Sequence, residues 1–588
     1  MIILRTLIRA VACLTLACVA PIAAQTATDP AEKELKQKQD LQKKAYTLVD
    51  EVANGAHGLK LPENRSFVLF SAADLLWRHD EKRARALFWD ALNSINLLIE
   101  PAGNGNKVRK TSENQYFKIF TLRQGLLRSV AKHDAQLALD MLRSTRQLPV
   151  EQVNAKFRLP DDSELEQQIA TEAAAQDPQQ GLLLARESLA KGLTFQLLEL
   201  VDRLNQRDQE VAAKFVGDII DKLQTRNLGA DIFASQIAVH LIGWTRASTG
   251  RESDKDSVAI NEYQLKLSVE RRRQLVEMVA NAALTVSANS HLLNSVKNIM
   301  PELQEFFPER VALLEKKVNA FEQTLNSEQR GWNTYNSLVR GGSPEDMIAA
   351  SLKADNEQRQ MLRQQAIVIA VLRRRAENLR EFIQNEIDDE SLRRSLTDDL
   401  DTEQITGATV RGDVDELRTL LPRVRKTEER ARAMAEIAVV LEKNGNHDEA
   451  VKLLDEARTL IKVDFESESQ SNALMALVAA YSVVEPAKAF AIIERTVDRA
   501  NDQISKALLL DKIVRSGIVK NGELLIQNPG AISPEYVLFR YGKAVVALAT
   551  ADFNRTRAAA DRFERMELRL MMRLLLAQSL LQEGRKTK

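Results

Sequence analysis

The chain has 588 residues, enough for several domains or one long repeat array. Lysine plus arginine and aspartate plus glutamate balance at 82 each, so no global field draws in nucleic acid. Only 22 glycines and 14 prolines punctuate this length and aromatics make up 5%, which disfavours turn-rich β folds and points to long helices around an aliphatic core.

Residues 1–24 have the layout of a secretory signal peptide. Arg5 and Arg9 form the positive start, Ala10–Ala20 is apolar, Pro21 breaks the run, and Ala23-Ala24 offers a small-residue cleavage site before Gln25. The apolar run falls short of the roughly 20 residues a membrane span needs. "AIVIAVL" (Ala366–Leu372) is shorter still and runs into three arginines. The expected location is therefore exported, periplasmic or extracellular, with no transmembrane span. Both cysteines, Cys13 and Cys18, lie inside this leader, so the mature chain would have no disulfide, thiol or cysteine-zinc chemistry. One alternative stays open at Cys18. The preceding "LTLA" resembles the lipid-attachment sequence of bacterial lipoproteins, although Thr15 stands where an aliphatic residue belongs.

Residues 25–60 read as a polar leader, helical or disordered, most polar in "AEKELKQKQDLQKK" (Ala31–Lys44). From residue 61 the pattern is helical. In "SFVLFSAADLLWRHDEKRARALFWDAL" (Ser66–Leu92), Ala72 and Leu75 share one helix face, and Ala84, Phe88 and Ala91 share a face of the next. Small side chains at such positions let two antiparallel helices approach closely. Phe67, Phe70 and Trp77 lie on one face of the first helix, with Phe88 opposite and Trp89 pointing elsewhere. The expected arrangement is a hairpin core with Trp89 covered by the next unit; the functional alternative is an exposed aromatic wall for a peptide ligand.

An acid or proline followed four residues later by Ala or Gly recurs in "DAQLA" (Asp134–Ala138), "DPQQG" (Asp177–Gly181), "DQEVA" (Asp208–Ala212), "PERVA" (Pro308–Ala312) and "EPAKA" (Glu485–Ala489). Each reads as a turn residue leading into a helix whose inner face begins with a small side chain. "SELE" (Ser163–Glu166), "SPED" (Ser343–Asp346) and "SPE" (Ser533–Glu535) are further helix starts. "YVLFRY" (Tyr536–Tyr541) has strand propensity but follows such a start and is read as helix. "EPAGNGNKVRKTSEN" (Glu100–Asn114) and "NGELLIQNPGAIS" (Asn521–Ser533) read as loops. "ASTGRESDKDS" (Ala247–Ser257) is the strongest interior break, giving two helical segments, 61–250 and 258–588. The runs Arg271–Arg273 and Arg373–Arg375 read as solvated surface.

In "AEIAVVLEKNGNHDEAVKLLDEA" (Ala435–Ala457), Ala438, Leu441, Ala450, Leu454 and Ala457 repeat the offsets of the Ala72 hairpin. Gly445 is expected to take the left-handed helix-ending conformation, and Asn446 to cap the next helix with Glu449. The two hairpins resemble the tetratricopeptide repeat, with its unit here near 431–464. The resemblance implies an all-α superhelix, or solenoid, of irregular antiparallel hairpins. It implies binding of other proteins or peptides.

No chemistry-bearing constellation competes with that expectation. His57, His79, His133, His240, His291 and His447 are scattered, without a zinc-binding spacing. "DDSE" (Asp161–Glu164) and "IDDES" (Ile387–Ser391) do not match a calcium loop. No catalytic, cofactor or metal residue is assigned, and the expected function is a non-catalytic interaction scaffold or adaptor. The rivals are a cell-wall enzyme similar to lytic transglycosylases, whose helical superhelix ends in a lysozyme-like domain, and a self-associating envelope component. For the enzyme, "RFERMELRLMMRLLLAQSLLQEG" (Arg562–Gly584) lacks the family's glutamate-serine motif.

Overall fold

A computed structural model describes residues 30–99, 113–145, 161–246, 264–287, 291–461, 467–514, 519–526 and 534–586. The fold is all-α, built from successive helices that pack on one another in chain order. The signal peptide with Cys13 and Cys18, most of the 100–114 loop, the 247–257 break and Ser533 lie outside the described residues.

Local signals account for how the helices begin and end. Asp177 closes the helix Asp162–Gln176 with its N–H on Ala173 O at 2.8 Å, and opens Pro178–Lys191 by accepting from Gln179 N and Gln180 N. Asp208 does the same between Gln196–Arg207 and Gln209–Gln224. One extended aspartate thus serves two helix ends, because its side chain satisfies orphan donors that the turn exposes. Ala138, Gly181, Ala212 and Ala489 are buried on the inner faces that follow. Ala312 is not: the helix Pro308–Thr324 turns Leu314, Val318 and Phe321 inward and leaves Ala312 exposed. Ser163 is not a cap either, since the helix begins two residues earlier with Asp161 accepting from Ser163 N at 2.9 Å. Ser343 is the expected N-cap and also forms a capping box with Asp346, and Tyr536–Tyr541 is helical.

The two alanine-spaced hairpins are paired helices. Pro62–Leu76 lies along Glu81–Leu98, with Ala72, Ala84, Phe88 and Ala91 fully buried. Thr427–Lys443 lies along His447–Leu460, with Ala438, Ala450, Leu454 and Ala457 fully buried. Gly445 sits at φ +80°, with Gly445 N bonded to Glu442 O and Asn446 N to Leu441 O, the pairing that ends a helix on a left-handed residue. Asn446 makes no side-chain cap, and Glu449 instead takes the Arg418 guanidinium at 2.7 and 2.8 Å. The charge pair outcompetes the capping box because the neighbouring helix presents a cation.

Four apolar cores follow one another. The second runs from Ala170 to Leu325, with buried residues on both sides of the expected division near 250. A third covers Met347–Leu400 and a fourth Ile405–Ile492 with Leu548. The first joins Leu41–Ala173 to Ala549–Leu581, so the first and last described helices share one core. The helix Pro30–Ala56 provides the join. Residues 35–40 are exposed, but Ala45, Leu48, Val49, Val52, Ala53 and Ala56 are buried, largely against Met566–Lys586. The stack therefore closes on itself. Its loosest joint lies opposite in sequence. Pro308–Thr324 and Ser327–Gly341 are consecutive yet share no extended contact, and among the described residues the latter helix has none fully buried.

Candidate functional site

The aromatic cluster is a packing feature. Phe67 and Phe70 meet edge to face at 5.3 Å, both nearly buried, and Trp89 packs against the first core. Trp77 stacks on His133 at 4.9 Å under the guanidinium of Arg85 at 4.7 Å. His133 Nε2 lies 2.7 Å from Asp74 Oδ1, and Arg85 pairs with Asp134 Oδ2 at 2.7 Å. His79 stacks on Tyr46 at 4.1 Å. These turn histidines tie each hairpin to its neighbour. His240 and His447 are exposed, bonded to Gln236 O and Glu442 on their own helix or turn. Among the described residues no group of three or more histidine, cysteine, aspartate or glutamate side chains is placed to hold a metal ion. No helix among them is long and apolar enough to cross a membrane. The arginine runs are engaged: Arg271 pairs with Asp221, Arg272 with Glu305, and Arg374 turns a helix end at φ 53°.

Two further features lie where the chain closes. The first is a small hairpin. Val519–Lys520 pairs antiparallel with Glu523–Leu524 across Asn521-Gly522, both at positive φ. Asn-Gly is the preferred pair for such a turn, so the signal was present within the stretch read as a loop. Glu523 is 5% exposed, and its carboxylate accepts Lys60 N at 2.7 Å, Leu61 N at 3.4 Å and Asn64 Nδ2 at 2.7 Å. Leu61 precedes the helix Pro62–Leu76 and has no side chain able to cap it. Glu523 supplies an acceptor there from across the closure, at the helix end that favours negative charge. Asn64 Oδ1 in turn accepts Ile526 N, and Glu567 accepts Leu524 N. The hairpin is thereby pinned to both chain ends.

The second is an apolar pocket of about 220 Å³. It lies between the helices Glu468–Val484, Pro486–Val514, Pro534–Asp561 and Met566–Lys586. Asp552 has non-helical angles, φ −156° and ψ 95°, and caps the second half of Pro534–Asp561 by accepting Arg555 N. The resulting kink wraps both halves of that helix around the pocket. Among the described residues the walls carry three hydroxyls, and each is spent on its own helix: Thr496 on Ile492 O, Thr556 on Asp552 O and Ser579 on Leu575 O. At the surface, Arg555 covers the Phe490 ring at 4.7 Å and pairs with Glu494 at 2.8 Å.

Comparison with known proteins finds no family that matches this chain. No curated protein is similar to it. The case for function rests on the residues themselves.

Proposed function

We propose that the protein is an exported helical-repeat adaptor that docks other proteins, kin in style to tetratricopeptide repeats and without catalysis of its own. Stacked helices offer an extended surface suited to that work, although a fold alone does not set function. The observation that supports docking is an apolar patch on the surface of the second core. Phe195 is 42% exposed and Ile232 53% exposed, at the starts of helices Gln196–Arg207 and Ile232–Trp244. Phe195 and Phe233 have ring centroids 4.8 Å apart. Rings clustered at the surface are the usual anchors of a protein interface.

The test is crosslinking and capture from the native cell envelope, comparing the wild-type chain with Phe195→Asp/Ile232→Ser. Both positions lie at helix starts, where polar residues are tolerated, so the variant is expected to keep its melting temperature. Loss of one specific crosslinked protein in the variant supports the reading. A capture profile without any specific protein, or one that the variant leaves unchanged, removes it.

A further inference from the structure

The pocket beside the closure is lined by none of the residues of the docking patch. Its walls decide the chemistry of what enters. Among the described residues no charged side chain faces it, and the hydroxyls there already donate to their own helix carbonyls. A ligand with internal polar groups would find no partner here and would lose its hydration. Water is poorly served for the same reason, and an apolar cavity of about 150 Å³ is already known to stay dry and to admit a hydrocarbon. The present volume, about 220 Å³, is larger.

Shape narrows the choice. On Pro486–Val514 the lining residues Phe490, Ile493, Val497 and Ala500 form one stripe over three turns, a run of about 15 Å. The kinked helix lines the same space from Ala544 to Ala560 on both sides of Asp552. The pocket therefore runs as a slot along that helix. Met475 and Met572, both half-buried, face it from two further helices. Unbranched thioether side chains adapt to a flexible guest.

We propose that this slot takes the unbranched alkyl chain of a free single-chain amphiphile, such as a fatty acid, with the polar head left outside. Burying successive methylenes against dry aliphatic walls provides the affinity.

The experiment uses the mature chain and straight-chain saturated fatty acids from octanoic to palmitic acid, each below its micelle concentration. Binding is read by displacement of a fluorescent fatty-acid probe and by calorimetry. Affinity is expected to rise about fourfold per added methylene, then to level off once the slot is filled. Two variants locate the site. Ala500→Phe and Ala479→Phe fill it from two different helices, and each is expected to weaken palmitic acid at least tenfold. Far-ultraviolet circular dichroism confirms that each variant is folded, and two filling variants keep the test alive if one is not. No saturable binding, affinity independent of chain length, or filling variants that bind normally while folded would overturn the proposal. Binding seen only to phospholipid vesicles and not to free fatty acid would overturn it too.

Discussion

The carboxylate of Glu523 accepts the side-chain amide of Asn64 at 2.7 Å, across 459 positions of sequence. Asn64 is 1% exposed and Glu523 5% exposed, so water cannot replace either partner. This contact, with those to Lys60 N and Leu61 N, joins the two ends of the helical stack.

Glu523→Ala should therefore loosen the closure. It leaves the Asn64 amide and two backbone donors without their acceptor, a loss of about 2–3 kcal/mol for hydrogen bonds to a charged group. Hydrogen exchange is the direct readout. Amides of 45–56 and 570–581 should exchange faster, while those of the second core are unchanged. Equal protection in both proteins would mean that the apolar contacts alone hold the ends together.

Two glycines should respond in opposite directions. A Cβ at Gly181 would lie 2.5 Å from Ala174 Cα, a backbone atom that cannot step aside. Gly181→Ala should cost about 1–3 kcal/mol as overpacking. Gly217, inside Gln209–Gln224, meets nothing within 4 Å. Gly217→Ala should gain up to about 1 kcal/mol from helix propensity. The urea midpoints of the two variants should bracket that of the wild type.

Arg246 and Glu302 form a two-pronged pair, Nε–Oε1 at 2.5 Å and Nη2–Oε2 at 2.7 Å, and Glu302 is 1% exposed. Arg246→Ala should cost about 3 kcal/mol, because it strands a buried carboxylate. Arg272, 3.9 Å away, offers partial relief. Adding Glu302→Gln removes the stranded charge and should recover part of the loss. A double variant no better than the single would show that packing of the arginine stem, not charge, carries the effect.

Acid should weaken the link between the first hairpin and the next helix pair. Burial acts to raise the Asp134 carboxyl, but the Leu137 N–H and the Arg85 guanidinium outweigh it and hold it below its ordinary value. A lowered native value means stability that is present in full above the unfolded value, about 3.9, and lost as pH falls through the lower native one. Asp134→Asn keeps a capping oxygen but not the charge. Its deficit in urea midpoint should be largest near neutral pH and should shrink below about pH 4. A deficit that does not vary with pH would assign the effect to geometry.

Much of the helical layout was legible from residues only a few positions apart. Asp134, Asp177 and Asp208 announce helix starts, Gly445 announces a stop, and the alanine offsets name the faces that pair. Where local readings missed, a neighbouring helix decided. Glu449 turned to Arg418 instead of capping, and Ala312 faced outward because Leu314 and Val318 took the core. The stripe Phe490, Ile493, Val497, Ala500 shows the same limit. Its period marks an inner face, but whether that face meets a partner or a slot depends on where the kink at Asp552 places the opposite wall.

By itself, the sequence determined that this is an all-α chain of short-linked helices with aliphatic, alanine-spaced contacts, because capping and the 3.6-residue period act within a turn or two. Only the tertiary structure decided that the first and last described helices share one core, that Glu523 serves a helix whose Asn64 lies 459 residues upstream, and that an apolar pocket remains beside the join. Those outcomes depend on the summed rotation of every intervening helix, and no local pattern carries that sum.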